Sequence, residues 1–316
     1  MEVWYQTGTA RDGTGWWIHY EILAPESGAA LAHGWTAVFP PGKTPSLVRF
    51  GPVGIDGPPR DGLFDCGDAT LEFGEGTVRL AGKSGDIAWD LEIDADQEPL
   101  YTFPRWAWER QILPGAQLVD LPGSASGSIA VGEEAYDVSG RAAQAHIYSH
   151  GSAHQWGWLH CDLGAGNLLE VVTAVPHLPG GIKIPPRPSV RLRYAGSDLP
   201  ADSFVAALGG RSTAELPKWT ATVRLGRRRR LYVAVEQPPE RCVQLQYPNP
   251  DGSFAYCTNT ERADAYIRLD RRENSAWTTE AEWTLDQTAH AEVGLPEPWD
   301  QVEVSPAPSI QAPSAR

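Results

Sequence analysis

Two short stretches of the chain alternate a tryptophan, a histidine and an acid. They are residues 17–22, with the sequence WIHYEI, and residues 158–163, with the sequence WLHCDL, about 140 positions later. Successive side chains of an extended strand point to opposite faces, so these three residue types share one face in each stretch. A carboxyl group packed among indole rings is desolvated, which raises its pKa and lets it donate a proton near neutral pH. The two stretches therefore predict acid–base chemistry.

A third candidate acid, Glu109, follows two tryptophans in another aromatic segment. A histidine beside such an acid can relay a proton, and indole faces can stabilise a carbocation as it forms. The candidate catalytic residues are Glu21, Glu109, His19, His154 and His160. The candidate substrate contacts are Trp17, Trp106, Trp108, Trp156, Trp158 and Asp162. The alternative is that His19 and His160 are core histidines, hydrogen-bonded to neighbouring carboxylates or carbonyls.

Other chemistries have weaker support in the sequence. Half of the eight histidines lie close together, but no metal-ligand spacing accompanies them: His146, His150, His154 and His160. The carboxylates that glycoside hydrolysis needs are spread over several hairpins, with no distinct pair. Phosphate-binding glycine loops and the GxSxG nucleophile elbow are absent from the sequence. We therefore expect no metal and no other cofactor.

The composition indicates an all-β protein with many turns. The 316 residues include 32 glycines, 27 prolines and 13 tryptophans but one methionine, and apolar stretches of helix length are scarce. The net charge of −14 disfavours nucleic acids and anionic membranes as partners. The exception is the run RRRR at residues 227–230, interpreted as a solvated hairpin tip or as a contact for an anionic head group or partner.

Targeting signals and cysteine chemistry add little to this description. Nothing in the sequence resembles a secretory leader or a membrane span, so we expect a cytoplasmic protein without an integral membrane segment. The cysteines show no CxxC spacing and are expected to be free thiols: Cys66, Cys161, Cys242 and Cys257.

Strands must position the candidate residues. In residues 16–22 both alternating faces carry large apolar groups, so this strand is predicted to be buried on both sides. The repeated Trp-x-His pattern, separated by the length of a small domain, predicts two related β domains, residues 1–145 and 146–296, and then a flexible Pro/Ser/Ala tail at 297–316. Two further segments are a candidate lid loop and a candidate short helix: residues 176–188 and 198–208.

Three landmarks spread over the chain resemble a known superfamily. They are residues 2–8 (EVWYQTG), 150–158 (HGSAHQWGW) and 288–294 (TAHAEVG). Together they resemble carotenoid 1,2-hydratase (hydroxyneurosporene synthase), AttH-like proteins and tocopherol cyclase. Ala153 stands before His154 where many relatives carry an acid.

The resemblance implies a fold and a class of activity. The fold would be two tandem lipocalin-like (calycin) antiparallel β-barrels packed together, with few short helices. The activity would be that of a cofactor-independent cyclase, hydratase or isomerase of secondary metabolism, acting on a prenyl, polyene or polyketide-like substrate in an aromatic cavity. The alternative is a non-catalytic, lipocalin-like carrier of a lipophilic small molecule. A third interpretation is a scaffold whose barrels are filled by their own side chains. The oligomeric state stays open.

Overall fold

The computed structural model of the chain describes residues 1–55, 62–102, 104–110, 119–175, 185–200 and 210–308. Strands dominate these residues, which confirms the predicted all-β class. None of the described helices is long and apolar enough to cross a membrane. Most of the candidate lid, at 176–184, and most of the candidate helix at 198–208 lie outside the described residues.

The first sheet holds twelve strands from the N-terminal half of the chain. They are β1 (Glu2–Ala10), β2 (Gly15–Leu23), β3 (Ala30–Phe39), β4 (Ser46–Ile55), β5 (Leu63–Asp65), β6 (Ala69–Phe73), β7 (Thr77–Ser84), β8 (Ile87–Ala95), β9 (Leu100–Tyr101), β10 (Val119–Val131), β11 (Glu134–Asp137) and β12 (Gly140–Tyr148). The main strand order is β4-β3-β2-β1-β12-β10-β8-β7-β6-β5. A short helix, α1 (Arg105–Glu109), lies between β9 and β10.

The second sheet holds eleven strands from the C-terminal half. They are β13 (Gln155–Gly164), β14 (Asn167–Val175), β15 (Arg187–Tyr194), β16 (Ser197–Leu199), β17 (Arg211–Ser212), β18 (Lys218–Arg224), β19 (Arg229–Glu236), β20 (Val243–Pro248), β21 (Phe254–Glu273), β22 (Ala276–Leu295) and β23 (Val304–Ser305). The main order is β16-β15-β14-β13-β22-β21-β19-β18-β17, and a 3₁₀ helix, Pro239–Arg241, precedes β20. The chain passes from one sheet to the other between Tyr148 and Gln155, while the division into two domains stays a prediction.

Three apolar clusters hold the molecule together. One lies within the first sheet and one within the second, and the third joins side chains from both sheets. We call this third cluster the seam. It consists of Val3, Tyr5, Trp17, Trp35, Ala37, Phe39, Ala145, Trp158, Val243, Leu245, Tyr247, Ala255 and Cys257.

Strand β2 shows how the sequence produces this arrangement. All nine of its residues are buried. Trp16, Ile18 and Tyr20 join the core of the first sheet, whereas Trp17, on the opposite face, joins the seam. The alternation of two faces, both carrying large apolar groups, confirms the predicted burial on both sides.

The two Trp-x-His strands do not occupy equivalent places in the two sheets. The strand orders match when β1 is set against β13, because each lies beside the last long strand of its sheet, β12 or β22. Residues 17–22 belong to β2, whereas residues 158–163 belong to β13. Both strands are nevertheless buried on two faces through their centres.

The C-terminal segment up to residue 308 is connected to the second sheet. Strand β23 pairs in parallel with β20. The Gln244 side chain donates to the carbonyls of Trp299 and Val302 and accepts from the Trp299 amide. These bonds connect the segment to β20, while the flexibility expected from residue 297 stays a prediction.

Candidate active site

A buried polar cluster lies on the seam side of β2 and β3. His19 and Glu21 are two residues apart on β2, and His33 lies directly opposite Glu21 on β3. Glu21 Oε2 is 3.4 Å from His19 Nε2, and Glu21 Oε1 is 3.8 Å from His33 Nε2. The three residues are 4%, 1% and 1% exposed in the order His19, Glu21, His33. We call them the Glu21 cluster.

Aromatic rings surround the Glu21 cluster. The Trp35 ring stacks on His19, with ring centroids 3.7 Å apart and an angle of 17° between planes. Trp17 meets His19 edge to face at 5.7 Å, and Tyr247 of β20 approaches His19 to 5.9 Å and Trp35 to 4.9 Å. Residues from both sheets therefore surround the His19 ring, which lies beside the Glu21 carboxyl group.

Arg49 supplies a positive charge beside this cluster. Its guanidinium carbon is 5.3 Å from the centre of the Trp35 ring. Its nitrogens donate to Gln246 O at 2.9 Å and to Ser305 Oγ and O, both at 3.1 Å. Strands β20 and β23 thus fix the position of a cation from β4.

Burial keeps the Glu21 cluster neutral. Desolvation raises the pKa of Glu21 to about 8, against the opposing charges of the N-terminal amine and Arg49. Burial lowers the pKa of His33 to about 3, and Arg49 adds to the shift. Burial, with His33 and Arg49, also holds the pKa of His19 well below its usual value. These shifts favour the neutral form of all three groups at neutral pH.

Several polar atoms of this region lack a hydrogen-bond partner among the described residues. They are Glu21 Oε1, His19 Nδ1, both ring nitrogens of His33 and Trp35 Nε1. More than nine-tenths of buried polar groups in proteins are hydrogen-bonded, and an unsatisfied group costs about 1–3 kcal/mol. Because these unsatisfied atoms lie close together, we take the region around Glu21 as the candidate site.

A second polar cluster joins the two sheets at the other end of β1. The Thr7 hydroxyl of β1 donates to Glu261 Oε2 of β21 and lies 2.8 Å from His290 Nδ1 of β22. Thr9 Oγ1 lies 2.8 Å from His290 Nε2, and His290 Nδ1 is 3.1 Å from Glu261 Oε2. Burial raises the pKa of Glu261 to about 8 and, together with His160, lowers that of His290 well below its usual value.

The second Trp-x-His strand contributes to this polar cluster. His160 of β13 lies opposite Glu170 of β14 on one side and opposite His290 on the other. Its Nδ1 atom is 2.5 Å from Glu170 Oε1, and the Trp158 indole donates to Glu170 Oε2 at 3.0 Å. The alternative interpretation of His160, a core histidine bonded to a carboxylate, agrees with this geometry.

Trp156 of β13 is partly buried and packs against the seam. Its indole donates to Glu292 Oε1 at 2.7 Å, and Cys257 Sγ donates to Glu292 Oε2 at 3.4 Å. Burial raises the pKa of Glu292.

The structure brings six of the eleven predicted site residues to the seam region. These six are Trp17, His19, Glu21, Trp156, Trp158 and His160. His154 precedes β13 and is partly exposed. Asp162, at the far end of β13, lies 3.2 Å from Arg141 Nε.

The residues of α1 lie in a different environment. Glu109 is half exposed and forms an ion pair with Arg105 at 2.7 Å, one helical turn away. Trp106 is 46% exposed. The Trp108 ring contacts Tyr101 at 6.1 Å and His146 at 5.6 Å, beside the first sheet. The structure therefore does not bring Glu109 together with the Glu21 cluster.

Several residues of the site were missed in the sequence. They are His33, Arg49, Tyr247, Glu261, His290 and Glu292. One signal was available, because His290-Ala291-Glu292 repeats the His-x-acid spacing of His19 and Glu21. No group of three or more side chains suited to holding a metal ion occurs in the described part of the chain.

Comparison with known proteins gives matches over most of the chain. A family model described as tocopherol cyclase-like matches residues 68–295. The uncharacterized protein Rv0493c of Mycobacterium tuberculosis is 45% identical over 298 residues, which cover 93% of this chain and 86% of the relative. The uncharacterized protein MT0513 from another strain matches to the same extent.

Solved structures share the fold at low identity. A protein assigned as AttH from Nitrosomonas europaea has a TM-score of 0.59 at 13% identity, covering 93% of this chain and 92% of its own. CghA in complex with Sch210972 has a TM-score of 0.59 at 12% identity, covering 93% and 87%. Kievitone hydratase from Nectria haematococca has a TM-score of 0.55 at 10% identity, covering 93% and 88%. These matches confirm the lipocalin-like architecture expected from the resemblance.

Proposed function

Because the chain belongs to the tocopherol cyclase-like family, we propose that it is a cofactor-independent cyclase, hydratase or isomerase that protonates a double bond of a lipophilic substrate. Solved structures with the same fold include a kievitone hydratase, and CghA was solved with the compound Sch210972 bound. The apolar, aromatic seam supports a substrate of prenyl, polyene or polyketide type.

One observation carries the proposal: the Glu21 carboxyl group is almost completely buried beside His19, whose ring is surrounded by aromatic side chains. Its pKa of about 8 leaves the proton in place at neutral pH yet available for transfer. Its Oε1 atom has no hydrogen-bond partner among the described residues, so it can face a substrate. Glu109 fits this role less well, because it is half exposed and paired with Arg105.

The proposed step needs no cofactor. The Glu21 O–H bond breaks as a C–H bond forms at one carbon of the double bond, and the π electrons leave a cation on the other carbon. Trp35 already stacks on His19 and lies near Arg49, so Trp17 and Tyr247 are the rings left to stabilise the cation.

The cation is then quenched in one of three ways. In a hydration, water forms the new C–O bond and loses one proton. In a cyclisation, either a substrate hydroxyl forms the new C–O bond and loses its proton, or a second double bond forms a new C–C bond and the cation that results loses a proton from a neighbouring carbon. In an isomerisation, a C–H bond next to the first cation breaks. Each route releases one proton, which returns to the Glu21 carboxylate. Neutral His19, 3.4 Å from Glu21, can accept the proton first and pass it on.

The test combines a compound survey with an isotope experiment. Compounds bound to the protein purified from its own source are extracted into organic solvent and identified, and candidates are incubated with the protein in deuterated water. Wild type is expected to place one solvent deuterium on carbon in each product of hydration or cyclisation. Glu21→Gln is expected to lose about 100-fold or more of the rate, since general acids contribute factors of about 10²–10⁴.

Glu109→Gln is the matched control, because it removes an equivalent carboxyl group from an exposed position. It is expected to keep the wild-type rate. Turnover unchanged in Glu21→Gln would refute the assigned proton donor. A ligand bound equally by wild type and Glu21→Gln, with no product from either, would favour the carrier alternative that the apolar seam also allows.

A further inference from the structure

Two neighbouring hairpin tips of the second sheet meet at a basic cleft. The β18–β19 hairpin supplies Arg227 and Arg228, and the β21–β22 hairpin supplies Arg271 and Arg272. The Arg272 amide donates to the Arg228 carbonyl at 2.7 Å, which fixes the two tips to each other. The open cleft has a volume of about 670 Å³, and Glu273 and Asn274 complete its lining.

The arginines just beside the cleft are neutralised within the protein. Arg229 donates two hydrogen bonds to Glu280, at 2.7 and 2.8 Å. Arg230 bonds to Asp270 at 2.7 Å and lies 4.7 Å from the centre of the Trp277 ring. These pairs order the strands that carry the tips.

The four arginines that line the cleft are exposed and have no ion-pair partner among the described residues. Against them the lining offers one carboxylate, Glu273. The cleft therefore concentrates positive charge on a chain whose net charge is −14.

The strand register does not add a carboxylate to the cleft. Arg271 lies directly opposite Arg229, whose own charge is paired with Glu280. The backbone bond between the two tips holds the four lining arginines around one cleft. Like charges held close together repel one another, so a bound anion would stabilise this arrangement.

We propose that the two tips form a binding site for a phosphate-bearing anion. Guanidinium groups match phosphate oxygens with paired N–H donors, and four of them on two fixed tips can surround one group from two sides. The Asn274 amide lines the same cleft and offers further donors. The phosphate can belong to a soluble ester or to a phospholipid head group at a bilayer surface. The site is independent of the chemistry proposed for Glu21.

The test uses two probes on the full chain. Inorganic pyrophosphate binding is measured by calorimetry, and co-sedimentation is measured with phosphatidylcholine vesicles that contain or lack phosphatidylglycerol. The double variant Arg228→Gln/Arg271→Gln is expected to weaken binding by about fivefold for each arginine removed. The matched control, Arg79→Gln/Lys83→Gln, removes two exposed positive charges from β7 of the first sheet and is expected to bind as wild type does.

Each outcome decides the proposal. Pyrophosphate binding that the cleft variant loses and the control keeps supports a soluble phosphate ester. Binding to the anionic vesicles alone, with the same dependence on the cleft arginines, supports a lipid head group. Absence of binding to both probes, or equal loss in the cleft and control variants, overturns the proposed site. Equal thermal unfolding midpoints of the variants show that the comparison is made between folded proteins.

Discussion

Glu21 on β2 lies directly opposite His33 on β3, and both side chains are almost completely buried. Glu21 Oε1 and His33 Nε2 are 3.8 Å apart, beyond hydrogen-bond distance. Burial raises the pKa of Glu21 to about 8 and lowers that of His33 to about 3, which favours a protonated acid and a neutral imidazole at neutral pH. This arrangement leaves a proton on Glu21 available to a third group.

The rate of the proposed reaction should fall as pH rises through about 8. Glu21 must carry its proton in order to donate it, and its pKa is raised to about 8. The lowered pKa values of His19 and His33 keep both rings neutral across this range, so neither ring adds a change in rate near pH 8. The pH dependence of kcat/KM checks this expectation. A rate that already falls near the usual glutamate pKa, about 4.5, would contradict it.

Removing the charge of Arg49 should move the fall in rate near pH 8, which is the alkaline limb of the pH profile, to higher pH. The guanidinium opposes the raised pKa of Glu21, so Arg49→Met should raise that pKa further, by about one unit or less. Arg49→Lys keeps a positive charge and should leave the limb close to its wild-type position. Equal pH profiles for Arg49→Met and wild type would show that the charge does not reach Glu21.

Conformational stability should decrease between about pH 6.5 and about pH 8. Glu21 and Glu261 both have a pKa raised by burial to about 8, so their stabilising contribution is complete below the unfolded-state pKa and is lost as pH rises through about 8. The buried histidines have lowered pKa values, so they change the conformational stability only below about pH 6.5 and not between pH 6.5 and pH 8.

Each of the two glutamates should contribute at most about 1.4 kcal/mol per pH unit to this slope. Glu261→Gln should therefore reduce the slope of the unfolding free energy measured by urea denaturation, whereas the exposed Glu109→Gln should not change it. The same slope in Glu261→Gln and wild type would mean that Glu261 is ionised in the folded protein.

The packing of Trp156 should depend on Gly294. A Cβ atom at Gly294, which lies opposite Trp156 on the neighbouring strand, would overlap the Trp156 indole. Gly294→Ala should therefore displace this ring from Glu292 and lower stability by about 1–3 kcal/mol. Gly54→Ala, where a Cβ atom would meet nothing within 4 Å, is the control and should unfold at the wild-type temperature. Thermal unfolding of both variants measures the difference.

The alternation of residue types in β2 was sufficient to predict that both faces of this strand are buried. Side chains of one strand point to two faces by geometry alone, so the sequence places His19 and Glu21 together and assigns them to a buried face. The composition was likewise sufficient for the all-β class. Both predictions need only local spacing or overall composition, and neither needs to know which distant residues meet.

Partners that are distant in the chain could not be predicted in the same way. Thr7 bonds to Glu261, 254 residues later, and Arg49 to Ser305, 256 residues later. Such pairs follow from the packing of two sheets, and no local pattern specifies which residues meet. The Pro/Ser/Ala composition of the tail likewise did not indicate the bond between Ser305 and Arg49.

Local aromatic composition was also an unreliable guide to burial. Glu109 follows Trp106 and Trp108 in sequence, which predicted a desolvated carboxyl group. In α1 its side chain turns to solvent and to Arg105. In a short helix, residues that are close in sequence point in different directions. They therefore do not bury one another, whereas side chains from facing strands of two packed sheets do.

The central claim is that Glu21 holds a proton at neutral pH, and infrared spectroscopy tests it without a substrate. The difference spectrum between wild type and Glu21→Gln isolates one carboxyl group from Glu261 and Glu292, whose pKa values are also raised. We predict a protonated carboxyl band at neutral pH that disappears as pH rises through about 8. A carboxylate band in its place, titrating near the usual pKa of about 4.5, would contradict the account.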